Sequence, residues 1–191
     1  MKATLGYLLL STSLLISPDI SMYGVKIGDA ESSLKKIKLE VIAKEDNITK
    51  YRTENNNDFS VTTSDKRVVY MENDWLQDSK SKKPLFTDFE FGSTSLQDIR
   101  NTFGSNGFTY RARGSFTTKT DVITFNCYEL DSPNNEILVV ITKASLKDNL
   151  NEDNIAEKLK LDAIIIANTN YLDEIWDKEK VYDPKNIKVK L

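Results

Sequence analysis

The sequence predicts an α+β protein made of two tandem units, each a short helix followed by an antiparallel meander of strands. Two similar stretches support this prediction. Ile27-Gly28-Asp29 comes before the amphipathic run Leu34-x-x-Ile37, and Phe91-Gly92-Ser93-Thr94 comes before Leu96-x-x-Ile99. The two Leu-x-x-Ile pairs lie about 62 residues apart. An apolar residue, a glycine and small polar residues are typical of a chain that leaves a strand and starts a helix.

The first unit is predicted over residues 22–84. A short strand at 23–27 leads into a helix at 29–39, whose apolar residues share one face. Strands follow at 48–53, 59–62 and 67–71, where apolar and polar residues alternate between turn-forming residues. The stretch 77–84 carries three lysines, lacks periodicity and ends in a proline. It is therefore expected to connect the two units.

The second unit is predicted over residues 85–143 and repeats this order. A strand at 86–91 leads into a helix that ends at Gly104, a residue suited to a helix C-terminus. Strands are predicted at 108–113, 121–130 and 136–142. Because short turns join them, they should pair antiparallel, in one continuous sheet or two paired sheets with the helices packed on one face.

The C-terminal extension, residues 144–191, follows a different pattern. A helix is predicted at 151–161, a buried β-branched strand at 163–167, a short helix at 171–176 and a weak edge strand at 186–191. The pattern leaves two arrangements open. The extension either completes the second unit or caps it.

The N-terminal residues 1–17 resemble a secretory signal peptide. Met1-Lys2 supplies a positive charge, and the apolar stretch that follows is shorter than the ~20 residues that a membrane-spanning helix needs. We therefore expect a periplasmic or secreted protein with no stable membrane span once the leader is removed. Cys127 is the one cysteine, so an intramolecular disulfide is impossible.

Composition excludes several classes of chemistry. The chain has no histidine, which removes Ser-His-Asp and Cys-His nucleophile systems, and one cysteine without histidine cannot form a usual zinc site. No phosphate-binding glycine motif occurs. The net charge is -3 with no basic stripe, so a nucleic-acid partner is not expected. The sequence therefore predicts no catalytic residue, no metal and no cofactor.

Four residues are the candidates for binding a protein partner. On the predicted strand 108–113, Arg111 and Arg113 alternate with Tyr110 and should lie side by side on the outer face, suited to an acidic partner. Trp75 follows a predicted strand and is either a plug over the core or an exposed anchor. Cys127 shares a face with apolar neighbours and is expected to be a buried, inert thiol.

The glycine-led helix starts, the ending Phe103-Gly104 and the meanders resemble one known family group. It comprises the β-lactamase-inhibitor-protein-like fold and the small outer-membrane lipoproteins with the same tandem architecture. The similarity covers roughly residues 23–142, although this chain lacks the lipidation cysteine and the disulfides of those groups. The resemblance implies a non-enzymatic protein that presents a concave sheet to a partner.

The leading expectation is an exported, non-catalytic protein-binding module, either inhibitor- or immunity-like or a cell-envelope assembly protein. Two alternatives stay open. One is a hydrolase of envelope glycans that uses paired carboxylates, because aspartate and glutamate are plentiful. The other is a small-ligand carrier that holds its ligand on the sheet.

Overall fold

Ten β-strands form one sheet, and the computed structural model describes residues 20–84, 87–132 and 134–191. Every pairing between these strands is antiparallel. In chain order the strands are β1 (Glu40–Glu45), β2 (Ile48–Arg52), β3 (Asp58–Ser64), β4 (Arg67–Asp74), β5 (Phe108–Tyr110), β6 (Ser115–Thr117), β7 (Asp121–Glu129), β8 (Glu136–Ser145), β9 (Lys160–Asn168) and β10 (Lys180–Tyr182).

The helices are short and differ in how well the sequence caps them. At the start of α1, Ser95 and Asp98 form a reciprocal capping box, and Gly104 ends the helix in the left-handed conformation. The first 3-10 helix, η1, begins after Ala30, which has no capping side chain. The helical segments are η1 (Glu31–Lys36), α1 (Leu96–Phe103), η2 (Arg111–Arg113), η3 (Leu146–Asp148), α2 (Ile155–Lys158) and α3 (Thr169–Ile175).

The strands run across the sheet in the order β1-β2-β3-β4-β9-β8-β7-β5-β10, and β6 pairs with β7 beside β5. The first four strands are therefore neighbours in chain order. The C-terminal extension supplies β9 at the centre of the sheet and β10 at one edge. A largely antiparallel sheet with a few helices confirms the α+β class.

Each face of the sheet has its own hydrophobic core with helices over it, so the prediction that the helices pack on one face is wrong. The first face carries η1, α1 and α2, whose apolar side chains pack on strand residues such as Val61, Leu138 and Ile166. The second face packs Leu172 of α3 and Trp176 over Val139 and Ile165. Because β8 and β9 are covered on both faces, their sequences are continuous apolar runs without alternation.

The loops that precede η1 and α1 are tied to the sheet by the same set of three backbone hydrogen bonds. Both loops contain a glycine with positive φ, Gly28 at 86° and Gly92 at 68°. In the first loop the bonds, written donor to acceptor, are Gly28 to Val68 (2.8 Å), Val68 to Asp29 (2.8 Å) and Glu31 to Lys66 (2.8 Å). In the second they are Gly92 to Leu161 (2.7 Å), Leu161 to Thr94 (2.9 Å) and Leu96 to Leu159 (2.9 Å).

Each of the two strands that bond to these loops, β4 and β9, also has a break in its pairing register next to the bonded residue. The register between β3 and β4 shifts between Thr62 and Thr63, opposite Val68. The register between β8 and β9 shifts between Ile141 and Thr142, opposite Leu161. Val68 and Leu161 are the two residues that bond to the loops, so each bulge has the same position relative to its loop.

Several predicted elements differ from those observed. The helix predicted at 29–39 is the shorter 3-10 helix η1, and within the helix predicted at 151–161 only Ile155–Lys158 is helical, since β9 starts at Lys160. Residues 87–91 of the strand predicted at 86–91 form bends, a turn and irregular backbone, and the Phe91 N–H donates to the Lys82 carbonyl at 2.6 Å and not to a neighbouring strand. At 186–191 a single bridge, from Val189 to Leu130, replaces the predicted strand. The predicted leader, residues 1–17, lies outside the described residues.

Candidate functional site

The candidate site is the polar half of the second face, formed by side chains of β2, β3 and β4. The strand register places Ser60 opposite Glu72 and Asp58 opposite Asp74. On the other side of β3, Lys50 lies opposite Ser60. Among the described helices, α3 is the one that contributes to the core on this face, and it covers the other half, over β8 and β9. We call Lys50, Asp58, Ser60, Glu72 and Asp74 the polar half.

Two carboxyl groups form the centre of the polar half. Glu72 and Asp74 alternate along β4, so both side chains point to the second face, and they hydrogen-bond to each other. The Tyr70 hydroxyl also donates to Glu72 Oε2 at 2.8 Å. With donors on both sides, Glu72 is the member of the pair that holds the negative charge.

Burial raises the pKa of Asp74 to about 8, and the neighbouring charge and hydrogen bond of Glu72 add to the rise. Burial also raises the pKa of Glu72, against the lowering effect of its hydrogen bonds from Tyr70 and Asp74. Two carboxyl groups in contact cannot both ionise easily, so the pair shares one proton near neutral pH. It then presents one negative charge at a half-buried site.

Basic groups surround this pair without neutralising it fully. Lys50 and Arg113 lower the pKa of Glu72, after the larger contributions from burial and the hydrogen bonds. Arg52 contacts the neighbouring Asp58, with 3.0 Å between Nε and Oδ1. The polar half therefore contains charges of both signs. A further cation close to the pair would lower the pKa of Asp74 and favour loss of its proton.

The four predicted binding residues do not form one surface. The strand predicted at 108–113 stops at Tyr110, because β5 and β6 both pair with β7 and the chain turns through η2 between them. Tyr110 is buried, and its hydroxyl donates to Asp173 Oδ1 at 2.6 Å. The predicted pair of arginines on one strand face is therefore wrong. Both arginines are exposed, but they belong to a turn.

The two arginines have separate contacts. Arg111 forms an exposed ion pair with Glu179 at 3.0 Å. The Arg113 guanidinium lies over the ring of Phe125, 5.0 Å from its centroid, and 5.9 Å from that of Trp176. Phe125 and Trp176 belong to the second-face core, so Arg113 borders the candidate site across the face.

Of the two roles considered for Trp75, the structure shows the first, a side chain that covers the core. Its ring packs against the first-face core and lies over Gly92, where an added Cβ would come within 2.5 Å of Cη2. The expected buried state of Cys127 is confirmed, and burial raises the pKa of its thiol well above the usual value. The described chain contains no disulfide partner for it, since it is the one cysteine.

Sequence reasoning missed Glu72 and Asp74 because it ended the strand at Met71. The available signal was the alternation Tyr70-x-Glu72-x-Asp74, which continues the strand period to its true end at Asp74. Within residues 20–84, 87–132 and 134–191, no group of three or more His, Cys, Asp or Glu side chains is placed to hold a metal ion. No helix in this described part is long and apolar enough to span a membrane.

Comparison with known proteins identifies no family. No protein-family model matches the sequence, and no curated protein matches it either. Among solved structures, a cysteine-rich secretory protein from Staphylococcus aureus subsp. aureus Mu50 matches with a TM-score of 0.44 and 12% identity. The match covers 86% of this chain and 50% of that one, so this chain spans half the length of that protein. Similarity at this level carries no inference about the present chain.

Proposed function

We propose that this protein is an exported, non-catalytic protein-binding module that uses the polar half of the second face. One observation carries the proposal. The sheet is continuous, yet α3 covers its second face over β8 and β9, while the side chains over β2 to β4 are mostly polar, with Lys50 exposed, Asp58, Glu72 and Asp74 half-buried, and the small Ser60 buried. A continuous sheet face that changes from covered to uncovered offers a preformed binding surface with little ordering cost.

We further propose that the two halves of the sheet are tandem repeats, as in the β-lactamase-inhibitor-protein-like group that the sequence resembles. The shared loop hydrogen bonds and the shared bulge support this, with Val68 corresponding to Leu161. On this basis β1 to β4 form one unit, and β5, β7, β8 and β9 form the other. The C-terminal extension then completes the second unit through β9.

The chemistry of the polar half favours a partner that presents a basic side chain. Asp74 loses its proton when a cation approaches, because the cation offsets the repulsion from Glu72. Such a bond would be charge-assisted and partly desolvated, the combination that makes interface contacts strong. Lys50 and Arg113 at the borders would meet acidic groups of the same partner.

Site-specific cross-linking tests this proposal. A photoreactive residue in place of Lys50, which is exposed on the second face, should capture a protein from the secreted or envelope fraction. The same residue in place of Lys185, exposed in the C-terminal loop, is the control and should not capture it. Asp74→Asn should reduce capture about tenfold, as expected for a charge-assisted contact, while Asp65→Asn in the exposed β3–β4 turn should not.

Equal capture from both positions, or capture that Asp74→Asn leaves unchanged, would remove the polar half from consideration. Export is tested separately by cell fractionation of the full chain. The predicted leader should yield a shortened protein outside the cytoplasm. Full-length protein that remains in the cytoplasm would contradict the periplasmic or secreted location.

A carboxylate-dependent hydrolase is the second candidate, because a carboxyl group protonated near neutral pH is a feature of acid catalysts. The geometry of the pair favours binding instead. Glu72 and Asp74 are in hydrogen-bond contact, whereas the carboxyl groups of glycoside hydrolases are about 5–10 Å apart. Release of sugars from envelope glycans by the wild-type chain, abolished by Asp74→Asn, would reverse this preference.

A further inference from the structure

A cavity lies on the first face of the sheet, opposite the polar half, between α1, α2 and strands β5 to β7. It is an open cavity of about 300 Å³. Its helical wall is apolar and contains Leu96, Ile155 and Leu159, whereas its sheet wall contains the polar side chains of Thr109, Thr124 and Asn126. A cavity of this volume is at the lower end of the range for small-molecule sites.

Arg100 of α1 is the one charged side chain among the residues that line this cavity. Its guanidinium donates to Asn126 Oδ1 at 3.4 Å, a long bond to a neutral acceptor. It also contacts the buried hydroxyl of the adjacent Tyr128, and this hydrogen bond and positive charge act against the rise that burial causes in the pKa of Tyr128. In the described part of the chain, no carboxylate forms an ion pair with Arg100.

The polar network around Arg100 is otherwise satisfied. Asn126 Nδ2 donates to Thr124 Oγ1 at 2.9 Å, and Thr124 is bonded to Thr142 at 2.7 Å. These bonds orient the amide so that its oxygen meets the guanidinium. Asp183 feels the charge of Arg100, but its lowered pKa arises mainly from the backbone N–H of Lys185. A half-buried guanidinium is thus held in place by the neutral partners Asn126 and Tyr128.

We propose that this cavity binds a small monocarboxylic acid, with the carboxylate on Arg100 and an apolar body against Leu96, Ile155 and Leu159. A half-buried charge without a carboxylate partner costs free energy, and a ligand carboxylate would remove that cost. The planar fork of arginine matches a carboxylate. The apolar helical wall requires an uncharged body.

This inference does not depend on the proposed protein partner, because the cavity and the polar half lie on opposite faces. Calorimetric titration of the full chain with benzoate tests it, and benzamide serves as the neutral ligand of the same shape. Benzoate should bind, and benzamide should bind at least about 10-fold more weakly, because it cannot accept a charge-assisted bond. Equal affinity for the two, or no binding of benzoate, would overturn the proposal.

Variants locate the site. Arg100→Gln should weaken benzoate binding about 10-fold or more, while Lys35→Gln, on η1 in the other half of the first face, should leave it unchanged. The wild-type chain provides a readout that needs no variant. The NMR signal of the Arg100 guanidinium should move on addition of benzoate, since a carboxylate would be added to its neutral partners. A signal that does not move, or one that moves equally with inorganic phosphate, would contradict a carboxylate site.

Discussion

The two halves of the sheet share a set of loop hydrogen bonds and a bulge, but they have opposite side-chain chemistry at their junction. Glu72 of β4 is the direct cross-strand partner of Ile165 of β9, and both point to the second face. In the proposed repeats these two residues also correspond to each other. One half therefore has an acid where the other has an apolar residue beneath α3. The backbone scaffold does not decide what a face presents, but the element packed above it does.

The first face shows the same contrast in a second form. Lys35 of η1 and Arg100 of α1 follow their helix starts by the same number of residues, and each lines an open cavity. The first cavity, of about 590 Å³, has Thr49 and Tyr51 on its sheet wall. The second has Asn126 there, beside the buried Tyr128. Only in the second half does a neighbouring helix, α2, close the wall around the cation.

The largest difference between the halves is expected in the stability that is lost when the loop glycine of each half, Gly28 or Gly92, is replaced by alanine. Gly92→Ala should lower the free energy of unfolding by about 3 kcal/mol, because the new Cβ meets the Trp75 ring in addition to the cost of positive φ. Gly28→Ala should cost only about 1 kcal/mol, since no atom lies within 4 Å of the added Cβ. Urea unfolding measures both. Equal losses would mean that Trp75 yields freely, and Trp75→Leu should then have no effect on the Gly92→Ala variant.

The next effect concerns the acid at the junction. The folded pKa of Asp74, about 8, lies above its usual 3.8, so the native state holds more protons between about pH 4 and pH 8. The stability of the wild type should fall as pH rises through this window. Asp74→Asn should flatten the profile, with a gain of about 1–3 kcal/mol at pH 8.5 and little change at pH 4. Parallel pH profiles of the two proteins in denaturant unfolding would contradict this.

A smaller difference is expected at the helix starts. Ser95→Ala removes a capping side chain that accepts from the Asp98 N–H at 3.0 Å, and should cost about 1 kcal/mol. The reverse change in the other half, Ala30→Ser, adds a cap to η1 and should gain less than about 0.5 kcal/mol. Both values come from thermal unfolding at fixed pH. If both changes had effects of the same size, the two helix starts would not differ in the way their caps suggest.

The smallest effect should come from the exposed ion pair of the second half. Arg111→Gln breaks the contact with Glu179 and should change stability by less than about 0.5 kcal/mol. The half-buried pair of the first half is the comparison. Arg52→Gln, which leaves Asp58 of the polar half without this cation, should cost about 1–2 kcal/mol. If urea unfolding showed a larger loss of stability from Arg111→Gln than from Arg52→Gln, the exposed ion pair would be the more stabilising of the two, contrary to this prediction.

The sequence predicted best those elements that depend on local chemistry. Helix α1, with Ser95 before it and Gly104 after it, follows from capping rules, and the buried strand around Ile164–Ile166 follows from its β-branched run. It failed where a distant strand decided the outcome. The turn after Tyr110 exists because two short strands share β7, and local alternation carries no sign of that.

The candidate sites were less predictable than the fold, for the same reason. The type of each residue was visible, but Glu72 becomes a proton-sharing acid only because strand pairing buries it beside Asp74. Arg100 is ordinary in a helix sequence and becomes notable only because, in the part of the chain that the structure describes, no carboxylate forms an ion pair with it. Burial and pairing of charges depend on residues far apart in the chain, so single stretches of sequence do not reveal them.

By itself the sequence determined the α+β class, the glycine-led helix starts, the absence of histidine chemistry and the impossibility of an intramolecular disulfide. These depend on composition and on interactions within a few residues. Tertiary structure alone decided that β9 lies between β4 and β8, that α3 covers one half of the second face, and that Arg100 forms no ion pair within the described residues. Those outcomes depend on which distant segments pair and pack, because burial is a property of the assembled sheet.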